Sequence, residues 1–308
     1  MEQLVSPDQL AAWCRRRLGA EPVSLLFESQ HLSVVRGLQL ADGRQVVVKA
    51  RPPDERIAAC VQVQHHLWAS GFPCPEVLVG PAPLGALVAT AEAYIPGGTT
   101  LPPGPDAPRL YAAALAASVA LAPPPTALPT LAPPPAWVWW DHDQPGIWPI
   151  ADDTDANLNA QPGPAWLDGA AQRVRQRLAR CDHPAVVGHA DWWSENLRWH
   201  GQHLHAVHDW DSVASQPEAA LAGAASAVYL ASYNPETIPN VAETAAFLDA
   251  YEQARGHHWT ADEREICWAA GLWQRSFDAK KEFVARSNRA LLDRLAAEVD
   301  ERLQMASA

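Results

Sequence analysis

The chain contains no Cys-x-x-Cys pair, and its five cysteines (Cys14, Cys60, Cys74, Cys181 and Cys267) are odd in number and scattered. That pattern excludes a disulfide framework and a zinc ribbon, and it fits a reducing, cytoplasmic setting. No basic stretch followed by an apolar core opens the sequence, so no secretory signal is expected. The longest low-polarity run, Ala219 to Tyr233, is rich in Ala, Gly and Ser. It is too short and too weakly apolar to cross a bilayer, so no membrane partner is expected. Positive charge is scarce as well: 23 Lys and Arg stand against 35 Asp and Glu, a net charge of −12. Residues 1–150 hold nine basic and twelve acidic side chains and the remainder fourteen and twenty-three, so most of the excess lies in the second half. Such a surface repels phosphate backbones and excludes nucleic acid as a partner. It is compatible with a neutral or cationic small molecule, and equally with a merely solvated acidic surface. No internal repeat is present, and nothing speaks to oligomeric state.

Among 308 residues, 48% are apolar, enough core for two lobes. Ser6-Pro7-Asp8 starts a helix that stops at Gly19, with Arg15, Arg16 and Arg17 near the end where the helix dipole favours cations. Strand-like runs follow at Val23–Phe27 and Ser33–Leu40. Asp42-Gly43 then turns tightly into Gln45-Val46-Val47-Val48-Lys49, a hairpin ending in a lysine. A helix is expected over roughly 54–70, with strands around Val77–Val79 and Leu87–Ala89. Tyr94-Ile95-Pro96-Gly97-Gly98 breaks the pattern as a hinge. From Pro96 to Pro149 proline is dense, with a helix at Arg109–Ala122. Trp137, Trp139, Trp140 and Trp148 follow and need burial, so this segment reads as ordered and proline-stiffened rather than as a linker. A helix at Trp166–Cys181, a short strand at Val186-Val187 and a hairpin of Leu197–Trp199 with His203–Val207 come next. Beyond Pro217 the period is helical.

The segment that carries chemistry is VVGHADWWSENLRWHGQHLHAVHDWDS, Val186 to Ser212. It holds His189-x-Asp191-x-x-x-x-Asn196 and, thirteen residues on, Asp209. Phosphoryl transfer needs a carboxylate beside the attacking hydroxyl and hard oxygen ligands for the magnesium that bridges the phosphates. An Asp and an Asn five apart can face one site from a single loop, and the hairpin between Leu197 and Val207 can return the second Asp alongside.

This block resembles the signature of the aminoglycoside phosphotransferase and choline kinase-like superfamily, in GHADWWSEN and then VHDWD. The strand lysine Lys49, the Gly71-Phe72-Pro73-x-Pro75 turn and the Gly97-Gly98 hinge extend the resemblance over most of the chain. It implies an α+β, bilobal, protein-kinase-like fold: a β-rich nucleotide-binding N-lobe over residues 1–95 and a helical C-lobe over 96–308. It implies an O-kinase moving the γ-phosphoryl group of ATP (or GTP), with Mg2+, to a hydroxyl of a small molecule such as an aminoglycoside, aminosugar or amino alcohol. Asp191 would be the catalytic base, Asn196 and Asp209 the metal ligands, and His189 and Asp211 supporting residues. Lys49, Ser29, Ser33, Tyr94 and Ile95 would hold the nucleotide. Two departures stand out. The helix after Lys49 carries Gln62 and Gln64 where the family has a glutamate partner for the lysine, leaving these or the early Glu55 as substitutes. The segment Glu28 to Ser33 is glycine-poor where a glycine-rich phosphate loop is expected.

Trp268 and Trp273 lie near Asp278 and Glu282 in the helical region. Trp273, Asp278 and Glu282 are the acceptor candidates, because carboxylates beside an indole suit an ammonium group. Asp278 and Glu282 are four apart and share a helix face, with Trp273 to one side. Core packing of the tryptophans and a solvated acidic face are the alternatives. Two other functions remain open. A degenerate kinase-like protein would bind nucleotide without turnover. A zinc-dependent hydrolase would use His200, His203, His205 and His208, although strand alternation separates these side chains.

Overall fold

A computed structural model describes residues 5–232, 237–286 and 289–308. The first helix, α1 (Pro7–Leu18), opens with a capping box in which the Ser6 hydroxyl accepts from Gln9 N and the Gln9 side chain accepts from Ser6 N. It ends at Gly19 in the left-handed conformation. Five strands follow: β1 (Pro22–Gln30), β2 (Val34–Leu40), β3 (Gln45–Arg51), β4 (Val77–Leu84) and β5 (Leu87–Ala93). They form one antiparallel sheet in the order β1-β2-β3-β5-β4. Alternation then assigns the two faces. Val46, Val48 and Ala50 of β3 join Leu38, Leu40, Ala89 and Ala91 in a core under α1. Val47, Lys49 and Arg51 lie on the other face, where Lys49 meets Glu92 and Asp209 and Arg51 meets Asp211.

Helix α2 (Arg56–Ala69) belongs to the second core. Its Ala59, Cys60, Val63 and Leu67 pack with the helical region. Arg56 donates to the carbonyls of Leu131 and Val213, and Val207 N donates to Pro73 O, tying the α2–β4 turn to the larger half. That half is built from α3 (Ala107–Leu121), α4 (Ala165–Leu178), α5 (Glu218–Val228), α6 (Val241–Arg255), α7 (Ala261–Ala285) and α8 (Ala290–Met305). Two small sheets complete it: β6 (Ala185–His189) with β9 (Val213–Pro217), and the hairpin β7 (Leu197–His200) with β8 (His203–Val207). The fold is thus α+β, with a sheet-based N-terminal region and a helical C-terminal region.

The proline-dense segment is ordered. It runs through short 3-10 turns and buries Leu128, Leu131, Trp140 and Trp148. Arg175 of α4 staples it by donating to the carbonyls of Trp140, His142 and Gly146. The low-polarity run is buried helix α5 against α7, and its last residue, Tyr233, lies outside the described residues. Among the described residues no helix is long and apolar enough to cross a membrane. All five cysteines are free thiols, and all but Cys181 are buried.

Small residues allow α5 and α7 to touch backbone to backbone. A Cβ on Gly223 would lie 2.1 Å from the Cys267 carbonyl oxygen, and one on Gly271 would lie 2.9 Å from Gly223 O. Gly223→Ala therefore forces the two helices apart. We expect a loss of about 1–3 kcal/mol, read as a lower midpoint in thermal unfolding. Gly104→Ala, where a Cβ meets nothing within 4 Å, should leave the midpoint in place.

Candidate active site

Strand β6 delivers the chain to Asp191 and β9 takes it away from Asp211. The β6–β9 register ends at His189↔Val213, and Ala190 N donates to Ser212 O at 2.9 Å, so the two ends of the motif lie side by side. Between them the β7–β8 hairpin folds back, and His208 N donates to Asn196 O at 2.8 Å. Asp209 thereby stands next to Asn196. His189 is fully buried, edge-on to Trp192 and Trp210. Its Nδ1 accepts from Asp191 N at 3.2 Å, which leaves Nε2 to donate to His208 O at 3.0 Å. Burial holds its pKa below the usual value, so the ring stays neutral and bridges the two halves of the motif. Ser194 fixes the loop from behind, with both its amide and its hydroxyl donating to Ala231 O.

Asn196 Nδ2 donates to the backbone oxygen of Asp191 at 2.9 Å and to its carboxylate at 3.0 Å. The amide oxygen of Asn196 is left for a cation. Asp209 sits in the left-handed region at φ 62°, a strained position for a residue other than glycine, with one carboxylate oxygen 3.7 Å from Lys49 Nζ. Asn196 and Asp209 supply two hard oxygens at one cavity, a donor set that fits Mg2+, whose other positions phosphates and water would fill. Asp211 instead pairs with Arg51 of β3, and Lys49 and Arg51 together outweigh its burial and hold its carboxyl below the usual range. It links the sheet to the segment that carries Asp209.

Lys49 Nζ lies 3.4 Å from Glu92 Oε1 and 3.7 Å from Asp209 Oδ1. Burial works to lower its pKa, but Glu92, Asp211 and Asp209 outweigh it and the ammonium is held above its usual value. The lysine thus has a carboxylate partner, but neither α2 nor Glu55 provides it. The expectation of Glu55 or of Gln62 as partner is corrected: the carboxylate comes from β5, because the β3–β5 register puts Glu92 opposite Val47, two residues along from Lys49 on the same face. Gln64, the other candidate, touches Glu92 rather than the lysine.

Asp191, Asn196 and Asp209 line a cavity of about 630 Å³ together with His31, Leu32, Trp137, Asp152, Asp153, Trp193, Gln274, Asp278 and Lys281. Of the β1–β2 tip it is His31 and Leu32 that face this cavity, while Ser29 and Ser33 flank them in the sequence. Tyr94 and Ile95 follow β5 directly, with Tyr94 N donating to Gln45 O and the Tyr94 ring 5.7 Å from Phe27. Of the acceptor candidates, only Asp278 lines the large cavity. Trp273 is fully buried against Trp148, with ring centroids 5.7 Å apart, on the core face of α7. Glu282 accepts from Leu292 N at 3.0 Å and so caps α8, and it borders a smaller adjoining cavity of about 440 Å³. The histidine tract does not assemble a zinc site. The rings of His200 and His205 are tilted with centroids 4.2 Å apart, His205 bonds the Pro96 carbonyl, and His208 is held through its backbone amide by Asn196 O. Among the described residues no three His, Cys, Asp or Glu are set to hold a metal ion.

Sequence reasoning missed Glu92, His31, Trp137, Asp152, Asp153, Gln274 and Lys281. Gln274 and Lys281 carried a usable signal, since with Asp278 they follow a spacing of four and three on one face of α7.

A β-sheet closed over a catalytic loop in this way, with a helical region beneath, is the fold of kinase-like phosphotransferases. The chain belongs to the phosphotransferase enzyme family of the aminoglycoside phosphotransferase type, which it matches over residues 33–263. Solved structures agree on the fold. An amicoumacin kinase in complex with AMP-PNP, Ca2+ and Ami is 14% identical, with a TM-score of 0.62, covering 92% of this chain and 89% of that one. A thermostable aminoglycoside phosphotransferase variant with ADP and hygromycin B is 13% identical, with a TM-score of 0.58 and coverage of 97% and 99%. A choline/ethanolamine kinase family protein from Mesorhizobium loti is 17% identical, with a TM-score of 0.52 and coverage of 97% and 94%. No curated protein matches the chain.

Burial and the neighbouring Asp209 push the Asp191 carboxyl up to about 7 in the metal-free protein. A folded-state pKa above the unfolded value of about 3.9 means that ionisation disfavours the fold. The penalty is absent below that unfolded value, grows as pH rises, and levels off above the folded one. Asp191→Asn removes it. In metal-free buffer its midpoint should exceed that of wild type by at least about 2 °C at pH 8, the effect of ~1 kcal/mol in a chain of this size, and by less at pH 5. An equal shift at both pH values would show that Asp191 titrates normally.

Proposed function

We propose that this protein transfers the γ-phosphoryl group of ATP (or GTP) to a hydroxyl of a small molecule that carries an amine or several hydroxyls. The observation that carries this reading is the single cavity shared by Asp191, Asn196 and Asp209 and continued by Asp152, Asp153 and Asp278. Asp191 would accept a hydrogen bond from the acceptor hydroxyl, orient its oxygen toward the γ-phosphorus, and take the proton as the bond forms. Burial and the nearby Asp209 keep that carboxylate basic enough for the task. Lys49 would reach the phosphates. Asn196 and Asp209 would hold Mg2+, which when bound neutralises developing charge on the phosphate oxygens. Tyr94 and Ile95 would border the base, with Ser29 and Ser33 beside the phosphates. His189 and Asp211 would act through the loop they hold. Residues 1–95 would be the nucleotide lobe and residues 96–308 the lobe bearing the catalytic loop and the acceptor site.

The acceptor end favours a cation. Burial raises the pKa of both Asp152 and Asp278, a state that a bound ammonium would relieve. Lys281, paired with Asp153, offsets only part of the burial penalty at Asp278, whose carboxyl stays above its ordinary range. The similar kinases seen with hygromycin B and amicoumacin make aminoglycoside-like compounds the first acceptors to try.

A coupled ADP-release assay over a panel of aminoglycosides, aminosugars and amino alcohols should find an acceptor that stimulates turnover. Asp191→Asn should lower kcat by at least about two orders of magnitude while nucleotide affinity hardly changes, and near-wild-type turnover would remove Asp191 from the mechanism. Asp278→Asn should raise KM for a cationic acceptor by about tenfold and leave nucleotide KM alone. A preference for sugar phosphates in the same panel would overturn the cationic reading.

A further inference from the structure

Cationic side chains that bind phosphate must be held in place, because a free lysine loses side-chain entropy on ordering. Lys49 is 8% exposed, and two neighbours share its burial: Glu92 at 7% and Gln64 at 5%. Three carboxylates lie around the lysine, and two of them have other work. Asp211 is engaged by Arg51. Asp209 is half-exposed at the cavity, where the function proposed above requires it for the metal. Glu92 remains. One of its oxygens lies 3.4 Å from Lys49 Nζ, and the other accepts from Gln64 Nε2 at 2.8 Å.

Gln64 is fixed in turn. Its Nε2 also donates to Pro75 O at 3.0 Å, and its backbone oxygen accepts from the Cys74 thiol at 3.6 Å. The amide oriented this way presents N–H to Glu92 and cannot act as the lysine's counter-charge. Helix and strand have exchanged parts: the neutral side chain stands on α2 and the carboxylate on β5. A glutamate at position 64 would set two carboxylates within hydrogen-bond distance of each other, so the two positions are coupled.

We propose that Glu92, oriented by Gln64, is the positioning residue that holds Lys49 in its phosphate-binding place, a role that the helix after the lysine strand does not fill in this chain. The inference rests on the phosphotransferase reading but is separable from it. Binding of magnesium–AMP-PNP, followed by calorimetry, needs neither an acceptor nor turnover.

Glu92→Gln keeps the shape and removes the charge, so its affinity for magnesium–AMP-PNP should fall by at least about tenfold. In an active assay nucleotide KM should rise and kcat fall, while acceptor KM stays within about twofold of wild type. Gln64→Leu leaves the charge of Glu92 and removes the amide that orients it, so the same affinity should fall by about threefold or more. It also covers the case in which Glu92→Gln alone does not fold. Nucleotide affinity in folded Glu92→Gln within about twofold of wild type would overturn the proposal. So would a folded Gln64→Leu variant that binds nucleotide as tightly as wild type. A wild type that binds nucleotide but phosphorylates no acceptor would count against the proposed function and leave the assignment of Glu92 standing.

Discussion

One neutral imidazole holds the catalytic segment together. His189 accepts from the amide of Asp191 and donates to the carbonyl of His208, so the loop carrying Asp191 and the segment leading to Asp209 share a single ring. Everything at the cleft floor inherits its position from that bridge and from the β6–β9 pairing that frames it. A protonated ring could not accept from Asp191 N, and burial guards against protonation. The contacts that reach the sheet, Arg51 to Asp211 and Lys49 to Asp209, then place β3 against a floor that is already set.

The parts of this arrangement that could be read in the sequence are those fixed by local spacing. The hairpin into Lys49 announces itself through its run of valines after Asp42-Gly43, and the loop from His189 to Asn196 is a motif of eight residues whose return strand follows at once. Glu92 could not be read this way. It meets Lys49 only through the register of β3 with β5, and that pairing is set across the whole of α2 and β4. On the helix after Lys49 the side chain of Gln64 lies one hydrogen bond short of the carboxylate. Asp152 and Asp153 sit in a segment with neither helical nor strand period, so no pattern could point them at the cavity. On α7 the period was legible and the choice of face was not. Trp273 and Asp278 are five positions apart, about 140° around the helix. One therefore packs on Trp148 while the other opens on the cavity.

Helix α7 thus serves two masters along one length. Gly271 admits α5 at backbone distance, Trp273 and Phe277 fill the core, and the face of Gln274, Asp278 and Lys281 borders the cavity. A rigid core face gives the polar face its precision, since these three side chains hang from a helix clamped on its other sides by α4, α5 and α8. The buried Lys280 reinforces the clamp by donating to Asp168 and to the Gln161 carbonyl, which keeps α4 and the preceding turn against it.

The cysteines have a practical meaning of another kind. Desolvation raises every one of the five thiols above its ordinary pKa, Cys14 and Cys60 to about 11 and Cys74 to about 12. At neutral pH almost none is thiolate, so alkylating reagents and mild oxidants meet a chemically quiet protein. A cysteine introduced at exposed Leu32, on the hairpin tip above the cavity, would be the fastest-reacting thiol in the chain. The native sequence therefore already provides the silent background that a site-directed fluorescent or spin label needs, and the tip of the β1–β2 hairpin can be watched during nucleotide binding without first removing any natural residue.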